Sequence, residues 1–195
     1  MIDEVLTCID QDRRDGRLEQ WARSTVIDEN IGEAVIDEPL FDQLHERAGI
    51  DAHFPVGNAG LIHVYGYLFS TVQTPYGLKS DRWTDGILAR TLGLPERWFR
   101  LGDSFEETPL QRVLEAALPL LTQRAADAIE WHVPGLGLQR AVVHQAPDGA
   151  GALVSGVDEG TGMRLLTVFP LADAAAFRAD LGTPTQGRWN AAPPS

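Results

Sequence analysis

Lysine is almost missing from this chain. Of 16 basic residues one, Lys79, is lysine and 15 are arginine. Arginine replaces lysine wherever only a positive charge is wanted, but its guanidinium stays protonated at any accessible pH. Chemistry that needs a deprotonatable side-chain amine, for an imine or as a base, therefore has one residue able to supply it.

Cysteine is equally scarce. The single Cys8 excludes an internal disulfide and a thiolate zinc site, and reads as a buried or half-buried filler. No stretch approaches the roughly 18 consecutive apolar residues of a membrane span, and the opening MIDEVLTCID is acidic where a signal peptide would be basic. The expectation is a cytoplasmic protein with no membrane contact. Phosphate-loop, dinucleotide and zinc-hydrolase fingerprints are absent, as is the elbow of a serine nucleophile. His45, His53, His63, His132 and His144 do not stand at ligand spacing, so no metal is expected. No cofactor is expected either: pyridoxal phosphate would use a lysine anchor, but no glycine-serine phosphate cup accompanies one.

Positive charge is also short. The net charge is -12, and residues 1–60 contribute -9 of it (14 acidic, 5 basic). Such a surface repels phosphate backbones, which excludes nucleic acid as the natural partner. It suits a solvated face or a basic protein partner, and a homo-oligomer is compatible with it.

What is present points to an ordinary globular core: 44% hydrophobic and 23% charged residues over 195 positions. Residues 1–50 read as an acidic, mainly helical third, with a helix at 39–47 begun by Pro39. Val26, Ile27, Asp28, Glu29 and Val35, Ile36, Asp37, Glu38 form a near repeat, read either as two short extended pieces around residues 30–32 or as coincidence; the oxygen alternation and central glycine of a calcium loop are missing. Residues 61–71 alternate like a strand, with His63, Tyr65 and Tyr67 on one face and Ile62, Val64 and Leu68 on the other. Thr74, Pro75, Tyr76 and Gly77 form a turn, and 80–92 reads as one helix stopped by Gly93. Thr108 followed by Pro109 and Gln111 is a capping box; Pro119 should kink the helix that follows or divide it near Leu118, and 125–131 reads as its continuation. The period then changes: 138–145, 152–157 and 163–169 are strands separated by glycine-rich turns, followed by a helix at 172–181.

The predicted fold is therefore α+β, an antiparallel sheet including a C-terminal three-stranded meander, with helices packed mainly on one face. Residues 1–182 are expected to form one domain and 183–195 a mobile tail.

Within 61–92 the residues carrying chemistry are concentrated. Lys79 and Arg82 would stand at a helix N-terminus, where free N–H groups favour an anion. Lys79 would serve as imine-forming amine or base, His63 or Tyr65 would move protons and Asp85 would assist; Arg82, Tyr67, Tyr76 and His144 would hold a small anionic substrate. This set suits a lyase breaking a C–N or C–C bond of an amino-acid-like or other carboxylate substrate, without selecting the bond. The alternative is a non-catalytic acidic interaction protein, an inhibitor or regulatory subunit, using Trp21 or Phe41 as aromatic anchors against a basic partner.

Overall fold

The computed structural model describes residues 1–21, 26–28, 30–52, 64–75, 77–102, 105–123, 128–133 and 137–181. Two of the candidate residues, His63 and Tyr76, lie outside this set, as does the expected tail 183–195.

The chain opens with α1 (Ile2–Arg14), which carries Asp3 and Glu4 in its first turn and Arg13 and Arg14 in its last, a charge order that complements the helix dipole. Its inward stripe is Val5, Ile9 and Asp12 at i, i+4 and i+7, so a carboxylate sits on an otherwise apolar face. Gly16, with φ 69°, takes the left-handed conformation that other residues avoid and lets the chain enter a 3-10 turn, Arg17–Gln20. Residues 26–28 and 33–35 then fold back on one another, a pairing that the near repeat alone did not specify. Ile27 bridges Ala34, the Val35 amide donates to the Val26 carbonyl at 3.0 Å and the Asp28 amide to the Glu33 carbonyl at 2.9 Å. Next comes α2 (Glu38–Ala48), with proline in its first turn and Gly49 as a left-handed stop.

The expected strand over 61–71 is replaced, from Val64 on, by a turn and a short 3-10 segment, Tyr67–Phe69. Gly66 has right-handed helical angles there, φ -67° and ψ -41°. Tyr65 and Tyr67 are both buried and reach different polar partners. Two-residue strands β1 (Gln73–Thr74) and β2 (Gly77–Leu78) pair across the following turn, with Gly77 at φ 86°.

The single helix expected at 80–92 is two: α3 (Asp81–Thr84) and α4 (Ile87–Thr91). Gly86 separates them at φ 82°, and Asp85 Oδ1 accepts the Ile87 amide at 2.8 Å, so an aspartate and a left-handed glycine restart the helix where apolar spacing alone reads straight through. Helix α5 (Pro109–Thr122) begins as expected, the Thr108 hydroxyl accepting the Gln111 amide at 3.1 Å, and it continues through Pro119 to Thr122. Pro119 sits in the last turn, where the missing N–H deprives one carbonyl, that of Glu115, and little helix remains to be disrupted.

A further correction concerns 125–131. The described part of that segment belongs to a strand, β3 (Ala128–Val133), because pairing with β4 (Gly137–Gln145) satisfies its backbone: Trp131 faces Gln139 and Ile129 faces Ala141. The sheet is thus a four-stranded antiparallel meander, β3-β4-β5-β6, completed by β5 (Gly151–Asp158) and β6 (Met163–Leu171). A bulge between Ser155 and Gly156 admits Leu166 as the extra residue of β6. Val142, Val154, Leu165 and Val168 face the main core with α4, α5 and the N-terminal elements. Behind the sheet Ala141, Val143, Leu153 and Leu171 form a smaller core with α6 (Ala174–Leu181), whose Phe177 meets Phe169 edge to face at 6.1 Å. The protein is α+β, with most helices on one face of an antiparallel sheet. Among the described residues no helix is long and apolar enough to cross a membrane.

Candidate functional site

Lys79 lies just after β2 and ahead of α3, as expected, but its amine turns inward. It is 3% exposed and ion-paired with Asp28, which is fully buried, and its Nζ stands 4.6 Å from the centre of the Tyr67 ring. Asp28 is held from its other side by Asn30, whose backbone N–H and side-chain Nδ2 donate to Oδ1 at 2.8 and 3.0 Å. Burial alone would push the Asp28 carboxyl up; the Lys79 hydrogen bond and charge, with the two Asn30 donors, outweigh it and hold the group below the usual carboxylate value. The cluster therefore joins the folded-back segment 26–35 to the turn before α3. An amine that attacks a carbonyl must be neutral and reachable; this one is engaged by a carboxylate and enclosed.

A second buried network lies on the other side of Gly66. Asp12 accepts hydrogen bonds from the Tyr65 hydroxyl, from the Thr108 hydroxyl at 2.5 Å and from Arg17 Nη1 at 3.2 Å. The Tyr65 oxygen in turn accepts the Leu110 amide at 3.4 Å, at the start of α5. Burial raises the Asp12 carboxyl, with the three donors opposing it only in part. Burial, then the Asp12 charge, lifts the Tyr65 phenol well above its ordinary range. Burial, followed by Asp12 and Glu4, also lifts the Cys8 thiol, to about 11, which keeps it a thiol and a poor nucleophile. Nearby Arg112, 2% exposed, spends its fork on the carbonyls of Thr108, Trp98 and Arg100 at 3.4, 2.6 and 3.0 Å.

The predicted site residues thus divide. Lys79 and Tyr67 come together, Tyr65 belongs to the Asp12 network, Asp85 caps α4, and Arg82 is half-buried on α3. His144 is half-buried on β4 opposite Ala152, and no hydrogen bond or ion pair among the described residues joins it to Lys79. Trp21 and Phe41, the expected surface anchors, are 4% and 0% exposed and belong to the core. The residues that sequence reasoning did not select are Asp28, Asn30, Asp12 and Thr108. Asp28, two residues before Asn30 and four before Gly32, carried the local signal of an Asx turn.

Beside the Asp12 network, with Arg17 shared between them, an open groove of about 360 Å³ runs between the 3-10 turn and α5. Arg17 and Gln20 form one wall; Leu114, Leu118 and Pro119 supply apolar floor and Glu115 a carboxylate on the other. Among the described residues no group of three histidine, cysteine, aspartate or glutamate side chains is placed to hold a metal ion. Comparisons with protein-family models, with curated proteins and with solved structures returned no match.

Proposed function

We propose that this protein is a non-catalytic interaction protein, an inhibitor or regulatory subunit, that binds a basic protein partner. The observation that carries this reading is the outer face of α2. Glu38, Asp42 and Glu46 stand there at i, i+4 and i+8, all exposed and none ion-paired among the described residues. Like charges at this spacing destabilise a helix, and Glu46 also opposes the negative end of the dipole. A basic surface laid against the row would relieve that repulsion, and the -12 net charge would speed its approach. In this reading residues 1–182 act as one domain in the cytoplasm.

The test is titration against an arginine-rich peptide at several salt concentrations. Reversing Asp42→Lys with Glu46→Lys should weaken binding by about tenfold and flatten its salt dependence. The pair Glu106→Lys with Asp148→Lys changes net charge equally and should have a much smaller effect. Equal losses from both pairs would leave only non-specific charge attraction and defeat the proposal.

One observation favours the second reading, a lyase-type enzyme acting on a carboxylate substrate: Lys79, Asp28 and Tyr67 converge from separate parts of the chain into one buried cluster. Borohydride trapping with a panel of keto and amino acids, read by mass spectrometry, decides its imine version. Labelled Lys79 supports it, and an unlabelled Lys79 removes it.

A further inference from the structure

We infer that the groove between the 3-10 turn Arg17–Gln20 and α5 is the docking site for a basic, amphipathic segment of the partner protein. The inference rests on the basic-partner reading and gives that partner a place and a shape. Residues 111–122 of α5 line the groove over about 16 Å, a length that suits a few turns of helix or a short extended segment. Leu118 and Pro119 are only partly covered or exposed, so an apolar side chain set on them would remove open hydrocarbon from water.

The polar groups select the sign of the occupant's charge. Among the described residues Arg17 is the only cation on the walls, and its Nη1 is shared by Asp12 at 3.2 Å and Asp15 at 2.7 Å, so its charge is already answered. Glu115 is exposed, and its side chain takes one neutral hydrogen bond, from Gln111 Nε2 at 2.8 Å. Glu115 therefore offers an incoming lysine or arginine a carboxylate that has no ion-pair partner among the described residues, next to apolar floor for the cation's neighbours.

The experiment uses the full chain. A random 12-residue peptide library is selected on the wild-type protein, and the enriched peptides are measured by fluorescence anisotropy against variants. The expected peptides combine lysine or arginine with apolar residues, and lose about tenfold or more in affinity with Glu115→Lys and with Leu118→Asp. Because Leu118→Asp could disturb the fold, Glu115→Gln is the second variant. It removes the charge while keeping an acceptor for Gln111, should leave the melting temperature unchanged, and should still weaken the basic peptides severalfold. Basic peptides that ignore all three variants but respond to Asp42→Lys with Glu46→Lys overturn the groove while leaving the basic-partner reading intact. Groove-dependent peptides without basic residues overturn the charge selection, and a library that yields no groove-dependent peptide overturns the site altogether.

Discussion

Asp28 is fully buried, and a buried carboxylate costs several kcal/mol unless an opposite charge and hydrogen bonds replace its water. Lys79 and Asn30 supply those replacements. Lys79→Met should therefore lose about 3–5 kcal/mol, because it strands the Asp28 charge, whereas Lys79→Met combined with Asp28→Leu should recover most of the loss. Denaturant unfolding of both variants checks this; a double variant no better than the single would show that the pair does more than balance charge. The two buried carboxylates also titrate with opposite signs. The Asp12 carboxyl is raised above its ordinary 3.8, so the native state keeps a proton that the unfolded chain has released, and stability falls as pH climbs from 3.8 through the folded value. The Asp28 carboxyl is lowered, so its contribution is present above 3.8 and is lost as pH drops through the folded value. Unfolding midpoints from about pH 2 to about pH 7, a range that reaches well to either side of the ordinary carboxylate value, should flatten on the upper side with Asp12→Asn and on the acid side with Asp28→Asn. At this scale the sequence marked Lys79 by its scarcity, but it could not name the partner. Any of 28 acidic side chains could answer one amine, and the choice is made by tertiary folding.

At the scale of elements, Gly86 decides how the segment after Lys79 is built. An added Cβ there would lie 2.8 Å from the Glu96 carbonyl oxygen and 2.3 Å from its Cγ, and the φ of 82° is itself unfavourable for a side chain. Gly86→Ala should cost about 1–3 kcal/mol and lower the melting temperature. The apolar spacing of Trp83, Ile87 and Leu88 runs through Gly86 as though one helix continued, which is why periodicity missed the break; Ile87 is in fact 42% exposed. The meander was legible for the opposite reason. Gly149, Gly160 and Gly162 all take positive φ in the turns that part its strands, so local chemistry and global pairing agree there. Strand β3 was not legible because Ala128 and Ile129 suit either helix or strand, and the pairing with β4 that settles the choice is not local. The 3-10 segment at Tyr67–Phe69 failed similarly: alternation assigned both tyrosines to one strand face, whereas each is drawn to its own buried charge.

For the whole molecule, charge and connection are separated along the chain. The first 60 residues carry -9 of the -12 net charge, yet several partners of their buried groups come much later. Asp12 is answered by Tyr65 and Thr108, 53 and 96 positions downstream, and Trp21 bridges Leu165 of β6 in parallel. The meander, by contrast, pairs only neighbouring strands and can close on itself. During synthesis the N-terminal third leaves the ribosome first, and although α1 can meet α2 early, its core stays open on the sheet side until the last strand has followed it out. Its heavy negative charge keeps that waiting segment apart from its copies. The acidity that we assign to partner binding thus also guards the interval in which Val5, Ile9 and Trp21, all buried in the finished core, remain uncovered.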